Sequence, residues 1–184
     1  MAGVSLAALR GEFASTLAIL AAHIKSIDRL VLAGGDGDMD EESARERLFD
    51  VLMRRLEILV PHQAAIRSLM RSASCNPGLA LALNGLGVRS MQWMLSAAGI
   101  AASGPKGTIR AQGLALLFAD VLRVWADDDD DAGRARTMAA LDRALGRGQR
   151  LSGLLDDVCA IPQRLCRMRP RRRRRARHEE AEAA

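Results

Sequence analysis

Apolar residues recur at intervals of three and four along most of this chain, the period of helices that each bury one stripe. The first such pattern is short. Leu6, Leu9 and Phe13 stand at helical spacing behind Ser5, whose hydroxyl suits the first free amides of a helix, and Gly3 ahead of it suits a tight turn. Ser15 offers a second N-cap. The spacing therefore predicts a short helix ending near Phe13 and a longer one over 15–33, with Leu17, Leu20, Ile24, Ile27, Leu30 and Val31 on one stripe. The stretch 33–40 is glycine-rich and acidic but lacks the ligand alternation and twelfth-position glutamate of an EF-hand, so it reads as a solvated connector.

Asp40, Glu41 and Glu42 make an acidic helix start that suits the helix dipole. The helix that follows is expected to run to Val60, with Leu48, Val51, Leu52, Leu56 and Leu59 inward and Arg45, Arg47, Arg54 and Arg55 largely outward. Pro61 suits the first turn of a further helix, to about Ser74, and 75–78 reads as a turn. From Leu79 to Ala98 the chain is apolar on nearly every side, which predicts a helix in the middle of a bundle.

The helix expected over 105–126 has two faces. Leu114, Leu117, Phe118, Val121, Val124 and Trp125 form a broad face of large residues. Ala111, Ala115, Ala119, Leu122 and Ala126 form a narrow stripe of small ones, which lets another helix approach closely. The first face is expected to serve the protein's own core and the stripe a second copy of the chain. Asp127–Asp131 reads as a solvated loop that supplies the next N-cap, because adjacent carboxylates repel and do not converge on a metal. Helix is expected to resume through Met138, Leu141 and Leu145 as far as Val158, with Pro162 as its stop.

Composition narrows the class. Apolar residues make up 49% of the 184 positions, enough to fill a core, while aromatics are 3% and tyrosine is absent. Few β-branched residues and abundant Ala, Leu, Arg, Met and Glu favour an all-α fold. No uninterrupted apolar run is long enough to cross a membrane and no secretory pattern opens the chain, which gives a cytoplasmic expectation. The formal charge of +5 is concentrated at one end: from Gln163 onward nine arginines face three glutamates, leaving 18 basic and 19 acidic groups elsewhere. The tail 163–184 is expected to be disordered and suited to polyanions, whereas the body carries no generally basic surface.

Candidate chemistry is sparse. Cys75, Cys159 and Cys166 are badly spaced for zinc and read as free thiols. His23, His62 and His178 pair with no cysteine, serine or carboxylate at a spacing that makes a nucleophile or a metal site. No phosphate-cradling loop is present. The expectation is a non-enzyme with neither cofactor nor metal. Small-molecule binding has better support: Met70, Asn84, Met91, Gln92, Trp93 and Met94 offer adaptable apolar and polar groups for an oily pocket, open to an apolar compound or a lipid.

The opening run adds a resemblance. Ala2, Gly3, Val4, Ser5, Leu9, Phe13, Ser15, Ile19 and Leu20 fall on a pattern similar to the recognition helix of TetR-type bacterial transcriptional regulators. Arg10 and Thr16 depart from it, standing where that family usually has a tyrosine and a lysine. The resemblance implies a TetR-like helical bundle: a remnant of the helix-turn-helix over 1–14, truncated within the motif, then a ligand-binding and dimerisation domain over 15–162. It implies a homodimer built on the helices at 105–126 and 133–158, and inducer binding within the body. Ser5, Leu6, Ala7, Ala8, Arg10 and Thr16 would meet the major groove or its phosphates, provided that the two bracing helices are present. A second resemblance rests on Arg47–Arg55 and Leu122–Trp125, which look like the coenzyme-Q biosynthesis accessory proteins; these share the TetR fold and bind lipid.

Overall fold

The computed structural model describes residues 3–35, 42–128 and 134–150. Among them there is no strand, and the all-α expectation holds. By its contacts the chain divides into Met1–Gly148 and Gln149–Ala184, and the elements below belong to the first unit. The acidic connector at 36–41, Asp129–Asp131, the helix expected beyond residue 150 and the Arg-rich tail lie outside the described residues.

Helix α1 (Leu6–Glu12) is capped by Ser5, whose side chain accepts from the amide of Ala8. Phe13 takes an extended conformation and ends it. Ser15 then caps α2 (Thr16–Ala33), accepting from the amide of Ala18. Helix α3 (Ala44–Leu59) opens on a capping box between Ser43 and Glu46. The reciprocal bonds satisfy two orphan amides at once. A 3-10 turn at Val60–His62 leads into α4 (Gln63–Ser74). Asn76 caps α5 (Pro77–Ala97), and α6 spans Gly104–Ala126. A further helix, α7, occupies 135–148 of this unit.

Helix α5 ends in a Schellman motif. Gly99 takes the left-handed conformation at φ +72°, and the amide of Ile100 reaches back to the carbonyl of Leu95. Arg47 of α3 donates to the carbonyl of Ala98 at the same place, 3.1 Å away, and ties this turn to the bundle.

The core joins α2, α3, α5, α6 and α7 through Val31, Leu52, Leu56, Met91, Met94, Trp125 and Leu141, with Ile27 and Phe118 at its flanks. All five leucines and valines expected to face inward from α3 do so. Three expectations are corrected. Arg55, expected outward, is 5% exposed and lies inside the bundle. Helix α5 touches α2, α3, α4 and α6, yet it is not covered all round: Leu81 is 73% exposed and Trp93 60%. The small-residue stripe of α6 is occupied by its own chain. Ala111 and Ala126 are buried in the core, Ala115 and Leu122 pack against it, and Ala119 is half-buried. The reason is local: a Cβ placed on Gly87 of α5 would sit 3.9 Å from the Cβ of Ala115, so small residues on both helices bring α5 and α6 close.

Candidate functional site

Two places in the unit carry polar groups in arrangements that call for an account. The first is the entry from α1 to α2. No residue of α1 is buried, and Leu6 is 84% exposed. Ala7, Ala8, Arg10 and Thr16 are exposed with it, while Ser5 spends its hydroxyl on the cap. The guanidinium of Arg10 folds back on the break, donating to the carbonyls of Phe13 and Ala14 at 3.3 Å each. The six residues expected to meet DNA thus share one exposed segment. One of them, Arg10, also holds the helix break in shape, while Ser5 caps the start of α1.

The second place is a polar centre inside the bundle. Asp28 of α2 pairs with Arg55 of α3, and Ser90 of α5 donates to the same carboxylate oxygen at 2.7 Å. Arg55 lies 5.8 Å from the ring centre of Phe118 on α6, and its Nη1 is 4.0 Å from the sulfur of Met94. Its Nε finds no acceptor within the described residues. Four helices therefore meet at one buried charge pair. A pair of this kind gains little over an apolar substitute, but losing one partner strands the other in a medium that cannot solvate it.

The residues expected to line a pocket do not converge. Met91 and Met94 are core residues, and the sulfur of Met94 lies beside Arg55. Trp93, between them in sequence, points out to solvent, as the 100° step of a helix requires. Asn84 pairs amide to amide with Gln112 of α6, at 3.1 and 2.9 Å, and so belongs to the α5–α6 contact. Met70 and Gln92 are half-buried.

Polar groups also hold the far end of α6. Gln63 donates to the carbonyl of Trp125 at 2.9 Å and Arg67 to that of Ala126 at 2.8 Å, which satisfies carbonyls left open where the helix stops. Asp128 accepts from both the amide and the hydroxyl of Thr137, at 3.1 and 2.7 Å, and so caps α7. Those bonds, the hydroxyl one first, hold its carboxyl below the usual carboxylate range although burial pulls the other way.

One further pair escaped the sequence reading. His23 of α2 and His62 of the 3-10 turn meet edge to face, with ring centres 4.6 Å apart and planes at 84°. Partial burial, and then the neighbouring His62, push the imidazole of His23 below its ordinary value.

Comparison with protein-family models finds no match. Comparisons with curated proteins and with solved structures find none either.

Proposed function

We propose that this chain is the helical body of a TetR-like transcriptional regulator, with α1 as the element that reads DNA. The observation that supports this reading is the exposed, separately capped α1 ahead of a long helix that enters the bundle. Ser5 and Ser15 make two helices out of one amphipathic run, and the first keeps no side chain for the core. A short helix with small residues at Ala7 and Ala8 fits a major groove, where bulk on the approaching face would hold it off. Helix α2 links it to the Asp28–Arg55–Ser90 centre, so a ligand that altered the bundle would also move α1.

The test compares duplex DNA from upstream of the coding region with a scrambled duplex of equal length, using the full chain in fluorescence anisotropy. The arginine tail binds both duplexes alike through phosphate, so the informative quantity is their ratio. A preference for the upstream duplex that Ala8→Glu abolishes supports the reading. An unchanged ratio in Ala8→Glu removes α1 from DNA recognition.

A second reading has its own observation, the bare Leu81 and Trp93 on α5. Apolar and aromatic groups on an open surface suit the lipid-binding accessory proteins of coenzyme-Q biosynthesis. Native mass spectrometry separates the two: a co-purifying isoprenoid together with equal affinity for both duplexes favours the lipid carrier.

A further inference from the structure

At steps of four residues, Leu81, Gly85, Arg89 and Trp93 form one row along α5, and all four are exposed. The row runs about 18 Å from end to end. It is open in the middle as well as at its ends, since nothing lies within 4 Å of where a Cβ on Gly85 would stand. Charge around it has one sign. Between Glu57 and Asp120 the sequence has no aspartate or glutamate, but it has Arg67, Arg71, Arg89, Lys106 and Arg110. That interval holds α4, α5 and most of α6. On α2, which also packs against α5, the one carboxylate is Asp28, buried in its pair with Arg55, whereas Lys25 and Arg29 are exposed. Helix α3 carries carboxylates but meets α5 from the buried side, at Met94.

We propose that this row is a docking face for an anionic lipid bilayer, with Leu81 and Trp93 entering the headgroup layer and Arg89 between them on a lipid phosphate. Bare apolar side chains favour a bilayer over nucleic acid, whose interfaces are built mainly of polar and positively charged groups. Tryptophan suits the depth at which acyl chains give way to headgroups. Arginine suits it too, because its apolar stem can lie there while the charge reaches out to phosphate. No described helix is long and apolar enough to cross a membrane, so α5 would lie along the surface. The nine arginines from Gln163 onward add attraction of the same sign. The inference goes beyond the regulatory reading, and it differs from the lipid-carrier one in naming a bilayer surface and not a carried molecule.

The experiment mixes the full chain with vesicles of phosphatidylglycerol or of phosphatidylcholine whose acyl chains are brominated, a label that quenches only an indole close to it. Of the two tryptophans Trp93 is exposed and Trp125 fully buried, so quenching reports on α5. Phosphatidylglycerol vesicles should bind and quench, phosphatidylcholine vesicles should do so far less, and Trp93→Phe should remove the quenching. Arg89→Glu should weaken vesicle binding about fivefold or more, because one basic residue at an anionic surface contributes about that factor. Circular dichroism checks the fold, and all the substituted positions are exposed. Binding without quenching would mean that the arginine tail alone holds the chain, and it overturns the docking face. So does unchanged affinity in Arg89→Glu. Duplex DNA is the last arm: if it shifts Trp93 emission where vesicles do not, the face belongs to nucleic acid and the proposal falls. The lipid-carrier reading fails separately, when no isoprenoid co-purifies.

Discussion

Arg55 and Asp28 form an ion pair at the point where α2, α3, α5 and α6 converge, and Ser90 completes it. Three helices are thereby keyed to one another by charge and not by shape alone. Removing one partner should cost far more than removing both. Asp28→Ala leaves a guanidinium buried without its carboxylate and should lower unfolding stability by about 3–5 kcal/mol. Ser90→Ala removes one hydrogen bond to a charged group, a loss of about 1.5–3 kcal/mol. The double variant Asp28→Leu, Arg55→Met should recover most of the single loss, because no charge is left buried. Urea unfolding measures all three. A double variant as unstable as Asp28→Ala would show that the pair acts through packing.

Two glycines should respond in opposite directions to the same added methyl group. A Cβ on Gly107 would overlap the backbone of Ala102, with no flexible side chain there to give way. Gly107→Ala should therefore destabilise by about 1–3 kcal/mol or more, the usual cost of overpacking. Gly85, on the exposed side of α5, has nothing within 4 Å of such an atom. Gly85→Ala should stabilise by about 1 kcal/mol through helix propensity. Thermal melts suffice, and a melting point that rises in both variants would mean the α5–α6 turn is looser than the backbone contact implies.

The contrast between what was and was not legible follows from range. Ser5 and Ser15 could be recognised as caps because a cap acts on amides three residues away. Arg55 lies inward because it shares a face with Leu48, Val51, Leu52, Leu56 and Leu59; the helical period and not the charge sets its direction. Asp28 carries the same signal beside Ile27 and Val31. Two opposite charges, each on the inward side of a neighbouring helix, are a sequence-level mark of a buried pair. The His23–His62 contact had no such mark, because only the return of α3 alongside α2 brings the rings together. The alanine stripe has small neighbours within its own chain: Ala111 and Ala126 are buried and Gly87 faces Ala115, a pairing that no single helix displays.

Acid should undo the cap on α7 in a defined window. The carboxyl of Asp128 is held below its ordinary value, chiefly by the hydroxyl of Thr137. A depressed value means that the folded state favours the ionised form. The contribution is therefore complete above the unfolded value, about 4, and is lost as pH falls through the lower folded value. Asp128→Asn should be less stable than the wild type at pH 7, and the difference should shrink below about pH 4. Denaturant midpoints at pH 7, 5, 4 and 3 give the comparison. A constant difference across that range would exclude ionisation of Asp128 as the source.

With Ala111 and Ala126 inside the core, the apolar residues that α6 leaves exposed are different ones. Ile109 and Leu116, 51% and 57% exposed, stand seven residues apart on one side of the helix. Asp120 and Arg123, paired at 2.9 Å, are exposed further along. Two turns of spacing put Ile109 and Leu116 on one stripe, narrow enough for a helix seam. If the regulator reading is right and the chain pairs through α6, Leu116→Glu should dissociate the dimer by placing a carboxylate in that seam, while Ala119→Ser should leave it intact. Sedimentation equilibrium at several concentrations reads the outcome. A dimer that survives both Leu116→Glu and Ile109→Glu would place any self-association elsewhere and withdraw α6 from it.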